Sequence, residues 1–244
     1  MQKNSKLAAW LTLLVFLAAF AAVYAAVKYL QALVMPHISL NSPREIAAFR
    51  AASSVVLVWA ELGATLLVMR LRGQTMSALG WRQSSSVWGW FAALIAVVVY
   101  AGFALMGPML KGAPLLTDWS FFRIAVALSI GVSAGICEET VFRGFVMTQA
   151  RDGGAPVVIQ ILLSAILFGM AHMGWGGATG HFDLSSMIGA MISTLILGLM
   201  LATAYAVGRR SLMPVVAAHA AIDMIIEPWL MLFAVSGGFQ YLTH

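Results

Sequence analysis

The chain has 244 residues, of which 61% are hydrophobic and 9% charged, and its mean hydropathy is +0.92. Soluble domains carry about 25% charged residues, so this composition excludes an ordinary soluble fold and marks a polytopic membrane protein. The net charge of +5 comes largely from loop Lys and Arg, and no basic stretch carries the interleaved aromatics of a single-strand binder; it reads as a topology signal with no nucleic-acid partner.

A helix that crosses a bilayer needs about 20 mostly apolar residues. Seven such stretches are expected, at about 7–30, 46–69, 87–107, 121–148, 156–173, 185–207 and 212–234. The first follows Lys3 and Lys6. It exceeds the apolar region of a signal peptide and more spans follow it, so it reads as a retained helix. The second carries Glu61, read as a buried structural polar group or as one that lines a cavity. Trp81, Trp88 and Trp90 precede and open the third and read as an interfacial belt. The fourth holds Cys137, Glu138, Glu139 and Arg143. Cys137 is the only cysteine, so no intrachain disulfide can form.

The Asp152-Gly-Gly-Ala-Pro156 sequence breaks the helix before the fifth span, which ends near His172. Gly174–Gly180 reads as a flexible loop. The sixth span is apolar. The seventh carries His219, Asp223 and Glu227; a break near Pro228 would make eight. The expected fold is therefore all-α, a transmembrane bundle of seven to eight spans. Residues 1–120 carry no assignable motif, residues 121–234 form a four-helix core with the polar residues, and 235–244 are a tail.

Lys and Arg in alternate loops set orientation. Lys3, Lys6, Arg70, Arg72, Arg82, Arg151, Arg209 and Arg210 lie on one side, and Lys28, Arg44, Arg50, Lys111 and Arg123 on the other. Eight against five favours a cytoplasmic N-terminus, in the inner or plasma membrane of a cell.

Ionisable groups at membrane depth are costly unless paired or hydrated, and are functional by default. Glu139 and Arg143 are spaced i, i+4, with the acid first, the better order for a helical ion pair. Glu138 points about 100° away on the helical wheel and is free for chemistry. His172 and Glu138 flank the turn symmetrically, their midpoint being 155. In an antiparallel hairpin both lie about 25 Å from the turn and can face each other. His219 and Asp223 also share a helix face at i, i+4, with Glu227 continuing it. Peptide hydrolysis needs a base for water, a proton donor for the leaving amine and donors for the oxyanion. Ser133, Ala134, Gly135 and Gly144 are small enough for close helix approach, leaving space for water.

Three patterns stand in order: Glu138-Glu139-x-x-x-Arg143, Phe168-x-x-x-His172 and His219-x-x-x-Asp223. Together, over roughly residues 121–228, they resemble the CPBP family, the CAAX-protease and bacteriocin-processing (Abi) intramembrane proteases. The resemblance implies a glutamic endopeptidase without metal or other cofactor. It implies that Glu138 and His172 activate water and that His219 and Asp223 stabilise the oxyanion. Glu139 and Arg143 would hold the site together. The chain departs from the family's prenyl-protein proteases at Asp223, where they have Asn. Asn can donate to an oxyanion and ionised Asp cannot, so Asp223 must be protonated or must orient His219. The departure weakens the case for a prenylated substrate; a peptide precursor, a bacteriocin leader or a membrane-protein tail are the other candidates.

Competing readings stand beside these. Glu138, Glu139 and Arg143 could be a structural salt-bridge cluster, though two acids against one Arg leave an acid uncompensated. His172 could be a satisfied core histidine, His219 and Asp223 an interhelical polar pair, and Phe168 packing beside His172. There is no His-Glu-x-x-His of a zincin, although Glu138, His172, His219 and Asp223 could together ligate a metal. Gly131-x-Ser133-x-Gly135 matches a nucleophile elbow in letters only, because that elbow needs a strand-to-helix turn. From another class come a proton-coupled carrier and a non-catalytic immunity or scaffold protein. Transporters repeat broken helices in both halves, whereas here the charged spans fall nearly all in the second half. Oligomeric state is not legible.

Overall fold

The computed structural model describes residues 2–34, 37, 43–81, 86–110, 121–173 and 184–235. The loop Gly174–Gly180 with His181 and Asp183, Asp118, Arg82, Lys111 and the tail 236–244 lie outside the described residues. Every regular element among the described residues is helical: α1 (Gln2–Val34), α2 (Pro43–Leu71), α3 (Val87–Leu110), α4 (Phe121–Glu138), α5 (Met147–Asp152), α6 (Val157–Ala171), α7 (Leu184–Val207) and α8 (Leu212–Val235). A 3-10 turn, Met76–Leu79, precedes α3, and a π-helical segment, Glu139–Val146, joins α4 to α5.

Among the described residues five helices are long and apolar enough to cross a membrane: Ser5–Val34, Ala48–Leu71, Val87–Met106, Ile124–Asp152 and Met187–Val207. Val157–Ala171 and Leu212–Ile226 are shorter apolar helices. These seven correspond one to one with the seven expected stretches. The fifth is shorter than expected because α6 ends at Ala171, with His172 as its C-cap. Pro228 does not break the last helix, which runs on to Val235. The break before α6 falls as read: Gly154 takes the left-handed φ of 87°, a conformation that favours glycine, and Pro156 opens α6 in an extended conformation.

Polar contacts gather one end of the bundle. Trp10 donates to the Gly153 carbonyl at 3.2 Å, Arg72 donates to Thr12 and to the Ala8 carbonyl, and Gln149 donates to Gln74 at 2.9 Å. Arg210 bonds Gln160 and lies over the Tyr205 ring. The Lys6 side chain packs over Gly154. Lys6, Arg72, Arg151 and Arg210, all on the richer side of the Lys/Arg count, thus collect at this end. Trp88 and Trp90 are exposed, as an interfacial belt requires. Trp81 instead turns inward and donates to Thr140 at 3.1 Å.

Glycines decide how closely α4 meets α8. A Cβ on Gly131 would lie 2.7 Å from the Ala220 carbonyl oxygen, and one on Gly135 would lie 2.8 Å from that of Val216. Both distances are below ordinary contact, so the two backbones touch through Gly131-x-x-x-Gly135, as small-residue interfaces in membranes do. The same letters that mimic a nucleophile elbow are therefore a packing device. Gly144 does the same against Leu79, where a Cβ would stand 3.1 Å from the Leu79 Cβ. Gly135→Leu should overpack this seam and cost about 1–3 kcal/mol or more, read as a lower unfolding midpoint in detergent. Gly63→Ala, with nothing within 4 Å of the added carbon, should leave the midpoint unchanged or raise it slightly.

Candidate active site

The helix that carries the two glutamates changes its winding at the point where they occur. Thr140 donates its hydroxyl to the Ile136 carbonyl at 2.6 Å. A side chain bonded back to the i−4 carbonyl loosens the ladder, and the segment Glu139–Val146 takes the wider π turn. Such turns occur frequently at functional sites. All eight residues of the segment are buried.

Glu139 and Arg143 form the ion pair expected from their spacing, with Nη1 donating to Oε1 at 2.8 Å, both side chains fully buried. Arg143 also donates from Nη2 to the Gly198 carbonyl on α7 at 3.2 Å. Its guanidinium carbon lies 4.4 Å from the Phe168 ring centroid, a cation–π contact in a dry setting. The sequence does not predict the second partner of Glu139. The Nδ1 of His219 lies 2.7 Å from the same Oε1, so this carboxylate joins the π segment to α8.

Glu138 faces the opposite nitrogens. Its Oε2 lies 3.7 Å from His172 Nε2 and 3.9 Å from His219 Nε2. Asp223 Oδ2 lies 3.6 Å from that same His219 nitrogen. Thus all three motifs converge. His219 stands between the glutamates, one at each ring nitrogen, although they point apart on the helical wheel. The hairpin register also brings Glu138 to His172. The side chain of Glu227 lies outside the described residues.

Hydrogen bonding fixes one tautomer. His172 Nδ1 lies 2.8 Å from the Phe168 carbonyl oxygen, which can only accept. Nδ1 therefore carries the hydrogen, and in the neutral ring Nε2 presents a lone pair towards Glu138. Phe168 does pack beside His172, with centroids 4.5 Å apart, and it also meets His219 at 5.7 Å and Phe142 at 5.2 Å. It is the apolar wall shared by Arg143 and both histidines.

Exposure divides the cluster. The side chains of Glu138, His172 and Asp223 are 13–16% exposed, whereas those of Glu139, Arg143 and His219 are 0–3%. The first three are partly exposed, although Glu138 Oε2 itself is buried, and the second three are sealed. Glu138 Oε2 has no hydrogen-bond partner among the described residues. Among those residues no three His, Cys, Asp or Glu side chains are grouped closely enough to hold a metal ion.

Removing one member of a buried pair strands the other charge and costs about 3–5 kcal/mol. Arg143→Met should therefore destabilise strongly, and Arg143→Met with Glu139→Gln should recover part of the loss. Unfolding midpoints of the two single variants and the double variant measure this coupling.

No curated protein and no solved structure matches this chain. Residues 118–225 match the family described as Rce1-like, type II CAAX prenyl endopeptidase. The matched stretch spans Glu138-Glu139, Arg143, Phe168, His172, His219 and Asp223. That segment, rather than the whole chain, matches the Rce1-like family of type II CAAX prenyl endopeptidases, in keeping with the CPBP resemblance of its three motifs.

Proposed function

We propose that this protein is an intramembrane endopeptidase that hydrolyses a peptide bond with a water held by Glu138 and His172. One observation carries the reading. Glu138 Oε2 has no hydrogen-bond partner among the described residues and lies 3.7 Å from His172 Nε2. That separation is too long for a direct hydrogen bond, yet both atoms lie within reach of one water at about 2.8 Å from each. Both are acceptors when Glu138 is ionised and His172 neutral, so the water donates to each and turns its own lone pair outwards. Glu138 then takes a proton as the oxygen attacks the scissile carbonyl, and returns it to the leaving amine.

The tetrahedral oxygen needs a donor. His219 Nδ1 is engaged with Glu139, so Nε2 donates only when the ring carries both hydrogens. Glu139 at one nitrogen and Asp223 at the other are the carboxylates that balance such a cation. Asp223 thus acts through His219 and need not itself donate. Glu139 and Arg143 keep the imidazole in place. Residues 121–234 carry this chemistry, and the described helices α1, α2 and α3 pack beside it. The gathering of Lys6, Arg72, Arg151 and Arg210 at one end favours a cytoplasmic N-terminus. The family's description as prenyl endopeptidases favours a lipidated C-terminal substrate. Asp in place of Asn at 223 favours a different peptide, so both substrate classes enter the test.

The test compares new protein termini by mass spectrometry in membranes expressing wild type or Glu138→Gln at equal levels. Termini that appear only with wild type are the expected outcome and identify the substrate; equal patterns in the native host would favour the carrier or immunity reading. Glu138→Gln should abolish cleavage with the fold intact. His172→Ala should lower kcat about 10²–10⁴-fold, and His219→Ala should lower it at least about 10²–10³-fold. Chelators should leave cleavage intact; loss by chelation with rescue by zinc would overturn the metal-free mechanism.

A further inference from the structure

Hydrolysis consumes water, and the cluster lies deep in an apolar bundle. Gln149 meets Gln74 at the basic end. Glu138 lies eleven residues, between about two and three helical turns, before Gln149. The interval between them is closed. Phe142, Phe145, Val146 and Met147 are almost fully buried. Phe145 packs on Phe16 with centroids 4.9 Å apart, and Phe142 packs on Phe20 at 5.8 Å. No polar side chain of α1 enters that seam between Phe16 and Phe20.

The same stripe of α1 changes character one turn further on. Phe16, Phe20, Tyr24 and Lys28 recur every four residues, a stripe that turns by about 40° at each step. Phe16 opposite Phe145 and Phe20 opposite Phe142 fix an antiparallel register. Continued by one turn, it puts Tyr24 level with Glu138, and Lys28 a turn beyond, away from the basic end. The Lys28 ammonium lies 5.6 Å from the Tyr24 ring centroid.

From the other side, α2 runs parallel to α4. Trp59 donates to Ser133 at 3.1 Å with a sequence offset of 74, and the Gln74–Gln149 contact has an offset of 75. This register sets Glu61 level with the turn that ends in Glu138. Glu61 is 6% exposed. An acid at this depth, with no role in the six-residue cluster, calls for hydration or a partner.

We infer that Tyr24, Lys28 and Glu61 line a hydrated path that reaches Glu138 from the end of the bundle opposite the basic one. Exposure grades along it, from buried Glu61 through half-buried Tyr24 to exposed Lys28. The reacting side of the cluster is also the exposed side, and His172 lies at the α6 terminus remote from the basic end. The path's purpose, water for hydrolysis, rests on the protease reading.

Its test needs no substrate. In a Cys137→Ala background, single cysteines replace Tyr24, Lys28, Glu61 and the lipid-facing, depth-matched Ala26; a further variant, Ser77→Cys, marks the basic end. Sealed vesicles of known orientation are treated from each side with a charged, membrane-impermeant methanethiosulfonate. Thiols react as thiolates, which apolar surroundings suppress. Tyr24→Cys and Glu61→Cys should react at least about tenfold faster than Ala26→Cys, and from the side that does not label Ser77→Cys. Rates equal to that of Ala26→Cys, or labelling from the Ser77 side, would overturn the path. Where Glu61→Cys fails to insert, Tyr24→Cys decides. Loss of cleavage in Glu138→Gln is a separate result, so the path and the protease reading can fail independently.

Discussion

The site depends on a buried carboxylate with two partners at one oxygen. Glu139 Oε1 accepts from Arg143 within its own helical segment and meets His219 on α8, at 2.8 and 2.7 Å. At membrane depth an unpaired carboxylate or guanidinium is costly, so the three groups must stay together. Arg143 extends the constraint to α7 through the Gly198 carbonyl and to α6 through the Phe168 ring. One ion pair thereby fixes the relative positions of four helical elements.

Close backbone approach makes this pairing possible. Gly131 and Gly135 admit the carbonyls of Ala220 and Val216, and His219 lies between those two residues on α8. A side chain at either glycine would move the imidazole away from both glutamates. The π turn contributes at the same place. By widening the helix after Glu138, it lets two adjacent glutamates reach opposite nitrogens of one histidine. Such an arrangement couples local winding, helix packing and electrostatics in a few residues.

The sealed and exposed halves of the cluster have different physical tasks. Glu139, Arg143 and His219 form a preorganised, dry layer in which charges are strong because the dielectric is low. Glu138, His172 and Asp223 are partly exposed, and the proposed water lies on their side of the cluster. The layer behind is rigid because Phe142, Phe145 and Phe168 fill the volume around it. Polarity therefore changes along the bundle, from packed aromatic rings on the basic side to Tyr24 and Glu61 level with the glutamates and Lys28 a turn beyond.

Much of this was legible in the chain. Composition alone required a helical membrane bundle, since a bilayer leaves backbone groups no partner outside helices or closed barrels. Apolar run lengths located the five long and two shorter apolar helices of the described residues, and the Asp-Gly-Gly-Ala-Pro turn fixed the register that brings Glu138 to His172. Spacing of four gave the Glu139–Arg143 pair and the shared face of His219 and Asp223. What only the tertiary structure decided concerns contacts between distant segments. Helical spacing treats Glu138 and Glu139 as pointing apart and cannot show that His219, eighty residues away, bridges them. It reads Trp81 as a lipid-interface residue, because the partner that turns it inward, Thr140, is remote in sequence. It leaves Glu61 without a neighbour, because its level on α2 is set by helix packing. Local periodicity is written in adjacent residues; the depth and facing of each polar group follow from how the helices pack.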